Sequence, residues 1–219
     1  MPILESIRSK NKQLPLSKML LNTIAIVILG IVLGVFSKYL DYRQGYLPTF
    51  LMALDETFDL HNFFGRFSIW VMIAVCISVY SNSSIRAAIN VFAFFTGMVS
   101  SYYWYSKAVA GFLPVSYAMI WVGFTIVSPL LAFICWYAKG TGYISLILSS
   151  LIIAVFFNMT FTYGWSYFDI GSILEVIVCV CTLVILKRSN PKDTCIMIAI
   201  GIVAAPIIKL ILPVQFHLW

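Results

Sequence analysis

The stretch 171–212, GSILEVIVCVCTLVILKRSNPKDTCIMIAIGIVAAPIIKLIL, decides how the chain is read. Two long apolar runs flank a basic hinge, Lys187-Arg188-Ser189-Asn190-Pro191-Lys192. The first run carries one acid, Glu175, and the second one base, Lys209. If the runs cross a bilayer in opposite directions, both charges fall about one and a half turns below the same face. An ionisable group at that depth costs on the order of 2.5–3.5 kcal/mol, so as a rule it is paired or functional.

Composition supports the membrane setting. The 219 residues are 62% hydrophobic and 10% charged, with a mean hydropathy of +0.98. A soluble domain carries roughly 25% charged residues, so lipid must cover the apolar excess. The net charge of +6 is dispersed between apolar runs. No basic face with interleaved aromatics suggests a nucleic-acid partner. The five cysteines, Cys76, Cys135, Cys179, Cys181 and Cys195, lie in or at the inner ends of apolar runs and form no outer disulfide framework.

Working outward, residues 1–18 form a basic leader with Arg8, Lys10, Lys12 and Lys18. The run Met19 to Phe36 is longer than a signal-peptide core and lacks a cleavage site, so it reads as a first transmembrane helix. Residues 38–65 form the one long connection. Within it Leu47, Phe50, Leu51, Leu54 and Phe58 repeat at helical spacing, with Asp55, Glu56 and Asp59 on the other side. That predicts an amphipathic helix lying flat at the interface, between Pro48 and Gly65. Further spans are expected at about 63–80, 87–105, 112–137 with a kink at Pro129, and 143–163. With the closing pair this makes an all-α polytopic membrane bundle of about seven transmembrane helices in one domain, 1–219. The alternative is six, with the second or last run re-entrant or interfacial.

Nine of the fourteen Lys and Arg fall on one side if the N-terminus is inside: Arg8, Lys10, Lys12, Lys18, Arg86, Lys139, Lys187, Arg188 and Lys192. The positive-inside bias places the chain in the cytoplasmic membrane with its N-terminus inside and its C-terminus outside. Trp70, Trp104, Trp121, Trp165 and Trp219 then map to the outer side, and Trp136 alone to the inner. The expected outer site is a polar and aromatic cup built from Glu175, Lys209, Asn158, Trp104, Tyr103 and Arg66, binding a small polar solute or coupling a proton. The competing reading is an aromatic belt with Glu175 and Lys209 as a structural ion pair.

Gly30-x-x-x-Gly34 and the stripe Ala93, Gly97, Ser101 are expected at helix–helix contacts, because small residues let backbones approach. Asn90 is expected in packing and Arg86 as an anchor. His61 and His217, with Asp55, Glu56 and Asp59, match no zinc spacing, so no metal or cofactor is expected. The chain has no GxSxG, HExxH or Walker A sequence. An enzyme would need an unfamiliar set such as Glu175 with His217.

The loop 38–65 after the first helix, together with Gly30 and Gly34 on it, makes the layout loosely similar to the substrate-binding components of energy-coupling-factor transporters. The likeness covers the first two spans. It implies a small helical membrane protein whose loop caps a solute and whose small-residue motif docks to a partner subunit. This chain differs in having seven expected spans rather than six, and GxxxG rather than AxxxA. A non-catalytic accessory, immunity or assembly protein acting through helix contacts is the second reading. Its partner would be another membrane subunit or a second copy of the chain.

Overall fold

The computed structural model describes residues 2–9 and 14–211. Lys10, Lys12, His217 and Trp219 lie outside the described residues. In chain order the helices are α1 (Pro2–Ile7), α2 (Leu16–Tyr42), α3 (Thr49–Phe58), α4 (Leu60–Gly65), α5 (Phe67–Tyr80), α6 (Ser84–Ala108), α7 (Val115–Trp136), α8 (Gly142–Thr160), α9 (Ile173–Leu186) and α10 (Pro191–Ile211). A two-stranded antiparallel hairpin, β1 (Phe161–Tyr163) and β2 (Phe168–Ile170), joins α8 to α9. The protein is a membrane-embedded, multi-pass helical bundle.

Among the described residues, five helices are long and apolar enough to cross a bilayer: α2, α6, α7, α8 and α10. The helices α5 and α9 are equally apolar but only 14 residues each. At 1.5 Å per residue each spans about 21 Å, against a hydrocarbon core of about 30 Å. The seven comparable spans expected from hydropathy are thus five full-length helices and two short ones.

Short helices raise a specific problem in lipid. Their first N–H and last C=O groups lie at a depth where no water replaces the missing partners. The fold answers by putting α5 at the centre. Trp70 belongs to a core with Phe94, Phe95, Met98 and Trp121, and Val75 and Val79 to a second core with Ile153, Phe156, Val178 and Leu186. Neighbours therefore cover α5 on both sides. The long helices α2 and α10 pack at the periphery, α2 on α6 and α10 on α8, with most of their side chains facing outward.

The α2–α6 seam uses the small residues. A Cβ on Gly30 would collide with the carbonyl of Phe94, and one on Gly34 with the Met98 carbonyl and the Ser101 hydroxyl. A Cβ on Gly97 would lie 2.7 Å from the Val27 carbonyl. Ser101 Oγ donates to the Ile31 carbonyl at 3.0 Å, and Ala93 lies half-buried along the same seam. The backbones are in contact, so Gly30 and Gly34 face the chain's own α6 and are not free for a partner subunit. Gly201 plays the same part where α10 meets Ser150 and Ile153 of α8.

Three local expectations are corrected. First, α2 continues six residues past the expected end at Phe36, so Lys38 and Asp41 are helical. Second, the helix expected through the loop breaks at Asp59, which adopts φ 56° and ψ 49°. Aspartate tolerates this left-handed conformation, and the Asp55 carboxylate accepts from the His61 N–H at 2.8 Å, capping α4. Third, the described start of the basic leader, α1 with Arg8, packs against the bundle. Ile7 is buried, and its carbonyl accepts from Thr141 N–H at 2.8 Å. Pro129 sits inside α7 as expected. Its ring removes the hydrogen bond to the Thr125 carbonyl, and Ser128 Oγ supplies a replacement at 2.8 Å.

Candidate functional site

The starts of α5 and α9 bring together the first pair of interest. Arg66 occupies the extended break between α4 and α5, and Glu175 lies in the first turn of α9. Arg66 Nη1 donates to Glu175 Oε1 at 3.3 Å. An acid in the first turn of a helix is favoured by the backbone dipole. Ser172-x-x-Glu175 also has the spacing of a capping box. Ser172 does accept from Leu174 N–H at 3.3 Å, but the Glu175 carboxylate turns to Arg66 instead.

Glu175 is 1% exposed, and its second oxygen, Oε2, is buried without a hydrogen-bond partner among the described residues. Arg66 also faces Asp59 Oδ2 at 3.9 Å. Asp59 in turn lies 3.5 Å from His61 Nε2, and His61 Nδ1 lies 2.9 Å from Asp55 Oδ1. The polar side chains Asp55, His61, Asp59, Arg66 and Glu175 form one chain of contacts from the α3–α4 loop to the buried acid.

The anticipated partner of Glu175, Lys209, is elsewhere. Its Nζ donates to the Tyr163 carbonyl at 2.8 Å and sits 4.3 Å from the Tyr163 ring centroid. The reason is topological: α10 packs on α8, so Lys209 meets the strand that continues α8. Tyr163 OH donates to Asn158 Oδ1 at 2.6 Å, and Asn158 Nδ2 donates to the Ala205 carbonyl at 2.8 Å. Asn158, Tyr163 and Lys209 therefore form a second cluster that ties α8, β1 and α10 together.

The expected aromatic cup is not assembled. Trp104 is 64% exposed and borders a groove between α2 and α6. Trp165 is fully exposed at the hairpin tip, whereas Trp70 and Trp121 are core residues. Tyr103 lines a cavity with Trp70, Tyr117 and Trp121. That cavity measures about 20 Å³, room for a water molecule and far below the roughly 300–1,000 Å³ of small-molecule sites. Its wall includes Phe64 and Gly65, and Tyr117 OH donates to the Gly65 carbonyl at 3.1 Å. The α4–α5 junction thus touches the aromatic cavity through residues 64–65 and Glu175 through Arg66.

Hydropathy missed four charged groups that the fold uses. Lys38 is 3% exposed, pairs with Asp41 and lies 4.6 Å from the Phe112 ring centroid. The i,i+3 spacing of Lys38 and Asp41 was the available signal. At the opposite, basic end Arg8 donates to the carbonyls of Trp136 at 2.6 Å and Val79 at 2.8 Å, at the ends of α7 and α5. Lys139 donates to the carbonyls of Ile185 at 2.5 Å and Lys187 at 2.9 Å, at the end of α9. Arg188 donates to the Gly140 carbonyl and to the hydroxyls of Ser145 and Ser149. Burial pulls the Arg8 and Arg188 guanidinium groups below their ordinary pKa. No sequence signal pointed to these acceptors, which lie 39 or more residues away.

Comparison with protein-family models, curated proteins and solved structures found no match to this chain.

Proposed function

We propose that this membrane protein is a small-solute-binding or transport subunit in which Glu175 is the coupling group and the α4–α5 junction the gate above it. One observation carries the reading. A purely structural ion pair in lipid satisfies both carboxylate oxygens, because an unpartnered buried charge is costly. Here Arg66 holds one oxygen of Glu175, and Oε2 is left for a proton or a cationic group of a solute. Arg66 links that acid to Asp59 and His61 in the loop. A shift of the junction would move Arg66 and the wall of the aromatic cavity together, since Phe64 and Gly65 line that cavity and Arg66, bonded to Glu175, follows them directly. The solute class that suits a free carboxylate oxygen is a small amine.

The test is a thermal-shift screen of the purified protein in detergent, using small amines, amino acids and neutral polar solutes. A ligand at one hundred times its Kd stabilises the folded state by about 2.7 kcal/mol. At least one amine should raise Tm in the wild type and leave Glu175→Gln unchanged. Amines that raise Tm equally in both proteins, or not at all in the wild type, defeat the proposal.

The accessory reading has one observation in its favour. The groove beside Trp104 is open to lipid and lined by Ala93, Thr96, Gly97 and Ser100, a surface another helix could enter. Ser100→Leu would then release a co-purifying membrane partner and leave Glu175 chemistry intact.

A further inference from the structure

We infer a second site, independent of Glu175: a cleft at the basic end, between α2 and the α5–α6 turn, that binds a phosphate-bearing anion through Arg86. The cleft has a volume of about 300 Å³. Its polar lining is Asn22 of α2, Ser81 and Asn82 of the turn, and Arg86 and Asn90 of α6.

The argument rests on how Arg86 is bonded. Its Nη2 donates to the Met19 carbonyl at 2.8 Å, to Thr23 Oγ1 at 2.5 Å and to Asn90 Oδ1 at 3.2 Å. All three acceptors are neutral. Among the described residues no Asp or Glu lies within 4 Å of this guanidinium, in contrast to Arg66 and Lys38. A guanidinium offers five N–H groups, and those on Nη1 and Nε donate to none of the described residues. Asn90 is itself fixed, donating to Ser81 Oγ at 3.2 Å. Arg86 is therefore held in one orientation by one nitrogen, with the remaining edge and an uncompensated charge in a polar cleft. That is the arrangement that recognises a phosphate by paired hydrogen bonds.

The cleft also has a polarity gradient. Its deeper wall is apolar, from Ala25 and Ile26 of α2 and Ile77 of α5, and the adjacent α2 surface exposes Leu21, Ile24 and Ile28. A glycerophospholipid has the same order, an anionic head above apolar chains. Basic pockets between transmembrane helices are a recurrent seat for anionic headgroups. A soluble phosphate compound shares the head chemistry but would leave the apolar wall unused.

The experiment uses the full-length protein in detergent, with native mass spectrometry and thermal shift as readouts. Three additions are compared: phosphatidylglycerol, phosphatidylcholine and inorganic phosphate. Phosphatidylglycerol should be retained and should raise Tm, with phosphatidylcholine much weaker. Arg86→Gln should weaken retention about tenfold or more, and Arg86→Lys should do so less. Because Arg86 also ties α6 to α2, Asn22→Phe provides a second variant: it fills the cleft and leaves those hydrogen bonds in place. It too should abolish retention. Stabilisation by inorganic phosphate alone, lost in Arg86→Gln, would keep the anion site and assign it to a soluble ligand. Equal retention of both lipids, or retention unchanged in Asn22→Phe, overturns the proposal.

Discussion

The two ends of the bundle handle positive charge in opposite ways. At the basic end Arg8, Lys139 and Arg188 spend their hydrogen bonds on backbone carbonyls and serine hydroxyls. At the Glu175 end Lys38 and Arg66 face carboxylates, and Lys209 faces an aromatic ring and one carbonyl. The direction of the short helices explains the difference. Both α5 and α9 end at the basic face, where the C-terminal carbonyls are partial negative charges seeking cations. Both begin at the other face, where the dipole favours an acid, and Glu175 takes that place. Basic residues that a charge count assigns to orientation alone are thus also helix caps. The lesson is that a helix too short for the bilayer depends on its end partners more than a full-length one does.

The comparison can be broken at four places. The largest effect is expected for Arg66→Met, which strands the buried Glu175 charge; stability should fall by about 3–5 kcal/mol in a denaturant titration in detergent. Adding Glu175→Gln to that variant should restore much of the loss. A double variant no more stable than Arg66→Met would show that the two side chains are not coupled. Next is Arg8→Gln, which uncaps α5 and α7 together and should cost about 2–3 kcal/mol, with faster hydrogen exchange at the last turns of both helices. A loss confined to one helix would contradict the shared cap. Lys139→Met should cost about 1–2 kcal/mol, localised to the end of α9. The smallest change is expected for Lys209→Met, under about 1 kcal/mol in the same titration, because its partner is a ring and a carbonyl on an exposed edge. A drop there as large as that of Arg66→Met would revive the pairing of Lys209 with Glu175 and erase the contrast between the clusters.

Several parts of this arrangement could be read before any coordinates. The apolar runs, the amphipathic character of residues 49–58, the small-residue seam and the candidacy of Glu175, Arg66 and Asn158 all follow from residue type and local spacing. Those signals are local because a helix places i, i+3 and i+4 on one face whatever surrounds it. The break at Asp59 was hidden because its cause is a side-chain cap from Asp55 that competes with the helix only when His61 is in reach. The mistaken partnering of Glu175 with Lys209 arose from equal depth, which is a one-dimensional quantity. Depth does not say which helices are neighbours, and α8 holds Lys209 on its own strand.

Sequence by itself settled that lipid surrounds the chain, because 62% apolar residues in runs of about twenty leave no water-soluble alternative. It also settled that ionisable groups within those runs must find partners. Which partners they find was a matter of lateral packing: α5 beside α9 joins Arg66 to Glu175, and α1 beneath α5 and α7 joins Arg8 to their carbonyls. Hydropathy is a sum over neighbours in the chain, whereas these contacts span 71 to 128 residues and form only when separate helices are brought side by side.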